Sequence, residues 1–244
     1  MATLSLKKQD NLIPKILKDT SDGILELFFP RICLACEENR SIRKHLFCVP
    51  CAYEINPTDH WKFENNEFTN KFTGRVPLVY GASLYKFFPG GLLQHVIHKR
   101  KYASRPEIGI HLGKIAGQQI SAHWMKPDLI IPVPIHPKKL WKRGYNQAER
   151  ISYGIAQILA IPVMGHVLEK RKMTSSQTGF HRLERMKNVE HAYDVHDIQK
   201  IKGKHILLVD DVLTTGATLE ACALPLLSVA DVKLSMFTLA MGQP

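Results

Sequence analysis

Several things are scarce or missing in this chain of 244 residues, and each narrows what it can be. No apolar run approaches the roughly 18 residues needed to cross a bilayer. Ile206 to Val209 runs into Asp210 and Asp211, and the stretch from Leu224 to Ala240 is broken by Pro225, Asp231 and Lys233. No continuous apolar core with a small-residue cleavage site follows Lys7, Lys8 and Asp10. No secretory signal is read, and the expected compartment is the cytoplasm. There is no GxGxxG fingerprint, which disfavours a dinucleotide fold, and there is no internal repeat or low-complexity tract. Acidic residues are the minority: 22 Asp and Glu against 33 Lys and Arg, a net charge of +11. That balance favours an anionic partner such as phosphate, pyrophosphate, nucleic acid or an acidic protein. With 45% hydrophobic and 23% charged residues the chain can bury a core, as one large domain or a medium domain plus a small one.

Cysteine is sparse too, but its placement is informative. Four of the five cysteines form two pairs, Cys33-Leu-Ala-Cys36 and, after eleven intervening residues, Cys48-Val-Pro-Cys51. Each CxxC turn brings two thiolates to one side of a tight loop. Two such turns supply four soft ligands, which suits tetrahedral Zn2+. The rival readings are disulfides or small buried residues; in a reducing compartment, metal comes first. His45 is an alternative ligand that a full set of four cysteines makes superfluous. A closed four-thiolate site keeps no open position, so the metal is expected to be structural. Cys222, beside Ala221 and Ala223, reads as a small core residue.

Apolar spacing predicts the rest of the organisation. Residues 11 to 29 read as one or two short helices packing on a neighbouring module, with a membrane-surface helix as the sharper alternative. The polar, turn-rich stretch from 56 to 75 reads as a linker. Beyond it come a strand around Val79 to Tyr85 and helices at about Leu92 to His98 and Glu107 to His123. A strand at Leu129 to Ile135 precedes a helix at Gln147 to Leu159. A short strand near Val167 to Leu168 leads into a charged stretch, Glu169 to Asn188. Last come a strand at Ile206 to Val209, a helix at Thr218 to Ser228 and a strand at Val232 to Ala240. Apolar strands alternating with helices imply a parallel sheet covered on both faces.

The segment Ile206-Leu-Leu-Val-Asp210-Asp211-Val-Leu213-Thr214-Thr215-Gly216-Ala217-Thr218 carries the chemistry. An apolar strand ends in two carboxylates, and a hydroxyl-rich turn opens a helix. Ligands of parallel sheets bind at the carboxyl ends of the strands. Carboxylates there accept hydrogen bonds from vicinal ribose hydroxyls. The turn presents backbone N–H groups and hydroxyls where a phosphate is favoured. Together they fit both ends of a ribose 5-phosphate. One rival is a Walker B strand, which requires a GxxxxGKS/T loop. The nearest approach, Gly109-Ile-His-Leu-Gly113-Lys114-Ile115, is one residue short and lacks the hydroxyl. Gly109, Gly113 and Gly117 instead suggest a small-residue packing face on a helix. The other rival is a solvated, capping strand end.

These thirteen residues resemble the phosphoribosyl pyrophosphate signature of type I phosphoribosyltransferases. Ile131-Pro-Val133-Pro134 with His136-Pro137-Lys138, Arg143-Gly144-Tyr145-Asn146-Gln147, and Arg171 with Thr174, Gln177, Arg185 and Asn188 extend the resemblance to the ComF family. That family joins a cysteine-rich zinc module to an amidophosphoribosyltransferase-like domain. Tyr145 and Tyr193 depart from its common phenylalanines, and the region from Tyr102 to Pro106 lacks an expected glycine.

The resemblance implies an α/β protein. A type I phosphoribosyltransferase-like parallel sheet flanked by helices (residues 75–244) would follow a small zinc-ribbon-like module with an N-terminal helix (1–60). It implies that Asp210, Asp211 and the run Leu213, Thr214, Thr215, Gly216, Ala217 and Thr218 bind phosphoribosyl pyrophosphate. It assigns Val133, Pro134 and His136 to a pyrophosphate loop working with Mg2+. Arg143, Arg171, Lys172, Arg182 and Arg185 are the candidate cations for the leaving group, and Cys33, Cys36, Cys48 and Cys51 hold Zn2+. It implies an association with natural competence, with single-stranded DNA and DNA-uptake proteins as further partners. The stretch Lys138-Lys139-Leu140-Trp141-Lys142-Arg143 and the run from His98 to Tyr102 interleave cations with aromatics, which suits single strands. The plainer reading of both is a solvated basic loop.

Overall fold

The computed structural model describes residues 32–41, 46–98, 105–170 and 192–242. The expected helices between 11 and 29, His45, the basic run 99–102 and the charged stretch from Arg171 to Asn188 lie outside the described residues. The chain divides into two compact units, Met1–Glu54 and Ile55–Pro244.

In the first unit, the described backbone turns at 34–36, and Ile32 bridges Arg40 across the turn. Helix α1 (Val49–Glu54) opens inside the second cysteine pair.

The second unit is built on a five-stranded sheet. Its strands are β1 (Asn56–Pro57), β2 (Gly81–Phe87), β3 (Leu129–Pro132), β6 (His205–Leu213) and β7 (Lys233–Gly242), in the order β1-β2-β7-β6-β3. Every neighbouring pair is parallel except β1 with β2. β4 (Leu168–Lys170) and β5 (Tyr193–Val195) form a separate antiparallel ribbon. Ile206 and Leu208 share a core cluster with Leu219, Cys222, Ala223 and Leu226 of α8 (Ala217–Leu227). The alternate residues of the same strand, Leu207 and Val209, are equally buried. Burial of both faces is why these strands read as continuous apolar runs rather than alternating ones.

Helix α6 (Gln147–Leu159) touches β3 and β6 and packs against α4 (Pro106–His123). Glycines set the crossing of the two helices. A Cβ on Gly113 would stand 2.2 Å from the Ile151 carbonyl, and one on Gly154 would stand 2.1 Å from the Ile110 carbonyl. The Gly109–Gly113–Gly117 face is thus a packing surface, as the spacing suggests.

Two expectations need correction. The stretch from 56 to 75 is not a linker. It carries β1, a single 3-10 turn at His60–Lys62 and helix α2 (Glu67–Asn70), and it buries Trp61, Phe68 and Phe72. Trp61 packs against Phe237 of the central strand, ring centroids 6.4 Å apart. Asn66 starts α2 by accepting from the Phe68 and Thr69 amides, while its own amide donates to the carbonyls of His60, Phe63 and Gly81. The asparagines that suggest a loop are here a helix cap and a junction.

The basic stretch after His136 is not a loop either: it is helix α5 (Pro137–Arg143). His136 caps it by accepting from the Lys138 amide at 3.2 Å, Pro137 occupies the first helical position, and Gly144 closes it at φ 79°. Helix α3 (Leu92–His98) and the short α7 (Ile198–Ile201) complete the described helices. None of those is long and apolar enough to cross a membrane.

Candidate functional sites

The acidic pair sits inside β6 rather than beyond it. β6 and β7 stay in register from His205↔Lys233 to Leu213↔Met241, so the strand runs four residues past Val209. β3 stops earlier, at Pro132, although the Val133 amide still donates to the Val209 carbonyl at 2.8 Å. The shorter neighbour leaves a step at the carboxyl end of the sheet. A cleft of about 270 Å³ lies there, lined by Val133, Pro134, Ile135 and His136 after β3, by Asp210, Asp211 and Val212 of β6, and by Thr218 of α8.

Helix α6 and the ribbon complete the walls. Asn146 donates to the Val133 carbonyl at 3.0 Å and caps α6 by accepting from the Ala148 amide at 3.1 Å. Arg143 lines the cleft and donates to the Gln147 side chain at 2.7 Å. Lys170 and Tyr193 face each other in the β4–β5 register and both line the cleft, with the ammonium 5.8 Å from the centre of the tyrosine ring.

The electrostatics are those of a polar cleft with a buried floor. Burial is the main cause that raises the Tyr193 phenol above its ordinary value, with the neighbouring Cys222 thiol and the Asp210 carboxylate adding to it. Burial and then Asp210 push the Cys222 thiol up as well. Both stay neutral beneath the acidic pair. Asp210 accepts from the Asp211 amide at 2.8 Å. Two carboxylates offer hard oxygen ligands of the kind Mg2+ takes together with phosphate oxygens.

The expected residues are brought together unevenly. Asp210, Asp211, Thr218, Val133, Pro134, His136 and Arg143 meet at the cleft. Thr214, Thr215 and Ala217 are exposed on the adjoining turn, and Gly216 closes that turn at φ +85°. The Leu213 side chain is buried in the core, 1% exposed, and takes no place in the cleft. Arg171, Lys172, Arg182 and Arg185 lie outside the described residues. Lys170 went unnoticed in the sequence, as did any role for Tyr193, Asn146 and Gln147. A lysine ending a three-residue strand carries no local signal; the ribbon pairing puts it over the cleft.

In the first unit the four cysteine sulfurs lie within 4.8 Å of one another. Cys36 Sγ and Cys48 Sγ are 3.8 Å apart. A zinc tetrathiolate with bonds of about 2.3 Å has tetrahedral edges of about 3.8 Å, so the donor set and spacing fit Zn2+. Cys33, Cys48 and Cys51 are buried. Hydrogen bonds from the Asn39 and Glu38 amides hold the Cys36 thiol down to about 6, while burial and the three neighbouring cysteines push the Cys51 thiol up. The Ala35 amide donates to Cys33 Sγ at 3.4 Å and the Asn39 side chain to Cys36 Sγ at 3.7 Å, the outer-shell bonds typical of such sites.

The family model "Phosphoribosyl transferase domain" matches residues 99–238. Competence protein F of Haemophilus influenzae is 36% identical over 100 residues, 40% of this chain and 44% of that one. DNA utilization protein YhgH of Salmonella typhimurium is 28% identical over 136 residues, 54% of this chain and 59% of that one. The chain thus spans about half the length of the curated relatives it matches. Among solved structures, glutamine phosphoribosylpyrophosphate amidotransferase from B. subtilis overlaps 52% of this chain and 25% of its own, with 18% identity and a TM-score of 0.38.

Proposed function

The chain belongs to the phosphoribosyl transferase domain family, in its ComF branch, and from that premise we propose that the cleft between β3 and β6 binds phosphoribosyl pyrophosphate with Mg2+. The observation that carries this is the convergence of Asp210, Asp211 and Thr218 with the Val133–His136 loop on one polar cleft. In this reading the two carboxylates accept hydrogen bonds from the ribose hydroxyls. The turn from Thr214 to Thr218 holds the 5-phosphate, and the loop after β3, with Arg143 and Lys170, faces the pyrophosphate. When bound, Mg2+ neutralises charge on the leaving group.

The reaction proposed is transfer of the phosphoribosyl group to an acceptor. The bond from C1 of the ribose to the pyrophosphate oxygen breaks, a bond from C1 to the acceptor forms, and the acceptor gives up a proton. Positive charge grows on the sugar, where the carboxylates are placed to offset it. Negative charge grows on the pyrophosphate, where the cations are. The four thiolates hold a structural Zn2+. Two relatives carry names tied to competence and DNA utilization, and we assign this protein a role in DNA uptake on that basis.

Thermal unfolding with ligand tests the reading. Phosphoribosyl pyrophosphate with Mg2+ raises the melting temperature, by up to about 2.7 kcal/mol of stabilisation at a hundredfold excess over Kd. Asp210→Asn removes the shift. A wild-type protein whose melting is unchanged at millimolar ligand overturns it. A pyrophosphate-release assay against pooled acceptors then separates turnover from binding.

One observation favours a second reading, a non-catalytic module that handles single-stranded DNA and retains the ligand site. Trp141 on the basic helix α5 is 90% exposed, an available stacking surface among cations. A gel-shift series with Trp141→Ala discriminates: equal retardation by wild type and variant removes the stacking role.

A further inference from the structure

The segment between β1 and β2 braces the turn from Thr214 to Thr218. Lys71, just after α2, extends its ammonium to the Thr214 carbonyl at 3.2 Å. Phe72, fully buried, lies against Gly216, where an added Cβ would come within 3.1 Å of the ring. Arg75 pairs with Glu220 in the first turn of α8. Three side chains within five residues thus fix the start, the middle and the far side of the turn. Their own position is set by Asn66, whose amide joins three carbonyls of the surrounding backbone.

The Lys71 contact has a specific consequence. In a trans peptide the C=O and the following N–H point in opposite directions. A Thr214 carbonyl held by Lys71 therefore sends the Thr215 N–H to the other side of the turn. Without that contact the carbonyl loses the cation that holds it outward, and a carbonyl turned toward a phosphate repels it. We propose that Lys71 is a positioning residue for phosphate recognition. It orients the Thr214–Thr215 peptide so that its N–H meets the 5-phosphate of the bound sugar, and it adds a positive charge behind the turn. This inference rests on the phosphoribosyl pyrophosphate reading and extends it to a residue remote in sequence, contributed by the segment between β1 and β2.

Calorimetric titration with two probes, each with Mg2+, tests it: phosphoribosyl pyrophosphate, which uses the turn, and inorganic pyrophosphate, which does not. In Lys71→Met, affinity for phosphoribosyl pyrophosphate falls at least tenfold while that for pyrophosphate stays within twofold of wild type. Lys71→Arg restores the former to within threefold. A Lys71→Met protein that binds phosphoribosyl pyrophosphate within threefold of wild type overturns the inference, and so does one in which both ligands weaken alike. A wild-type protein that binds neither probe sinks the parent reading and this one with it.

Discussion

Asn146 holds Val133: its side-chain amide donates to the Val133 carbonyl at 3.0 Å while its oxygen caps α6 through the Ala148 amide. One residue thereby fixes the loop after β3 against the helix that forms a wall of the cleft. Asn146→Ala loses both bonds. We expect about 1–2 kcal/mol of lost stability in urea unfolding. We also expect weaker binding of phosphoribosyl pyrophosphate than that loss of folding explains, read by titration under conditions where the variant is fully folded. An Asn146→Asp variant keeps the cap but not the donor to Val133, so it recovers stability more than binding.

The crossing of α4 and α6 predicts a steep response to one methyl group. Gly113→Ala places its Cβ 2.2 Å from the Ile151 carbonyl, and that backbone oxygen has no flexible end to move away. The helices must separate, at a cost on the order of 3 kcal/mol, the upper end for overpacking. At Gly109 the nearest atom is Arg150 Cβ at 3.0 Å, so Gly109→Ala costs less. Equal denaturation midpoints for the two variants would contradict the packing described here.

Metal and thiol counts test the cysteine cluster together with Cys222. We expect one zinc per chain by elemental analysis and no rapidly titrating thiol in the native protein. A chelator releases four thiols, those of Cys33, Cys36, Cys48 and Cys51. The fifth, Cys222, reacts only after denaturation, because it is wholly buried and its thiol is held neutral. A fifth thiol that titrates in the folded, chelated protein speaks against that placement.

Two buried imidazoles predict a loss of stability in mild acid. Burial is the main cause that lowers the pKa of His60, with Lys86 adding to it. Burial likewise lowers that of His205, with Asp128 opposing and Lys233 reinforcing. The folded values lie below the unfolded one, about 6.5, so the unfolded chain binds more protons below that pH. The stabilisation is complete above about 6.5 and declines as pH falls through the folded values. Trp61, Trp124 and Trp141 all lie beyond Glu54, so tryptophan fluorescence follows this unit without interference from the cysteine module. A denaturation midpoint constant from pH 7.5 to 5 would falsify the assignment of neutral, buried histidines.

Whatever depends on neighbours along the chain was legible from the residues. The strand, acidic pair and glycine turn between Ile206 and Thr218 are contiguous, so their order alone places two carboxylates ahead of a helix start. The CxxC pairs impose a ligand set through covalent spacing, and glycines every fourth residue must share one helix face. Convergence across the sheet was not legible. Lys170 and Tyr193 reach the cleft through the ribbon pairing of β4 with β5, and Lys71 reaches Thr214 from the segment between β1 and β2. Leu213 shows the converse. It sits within the signature yet turns into the core, because its neighbours in β6 and the packing of α8 assign it a face. Parallel strands meet only after long crossovers, so which distant side chains share a cleft is decided by the packing of the sheet, while the chain itself carries the local pieces that the packing assembles.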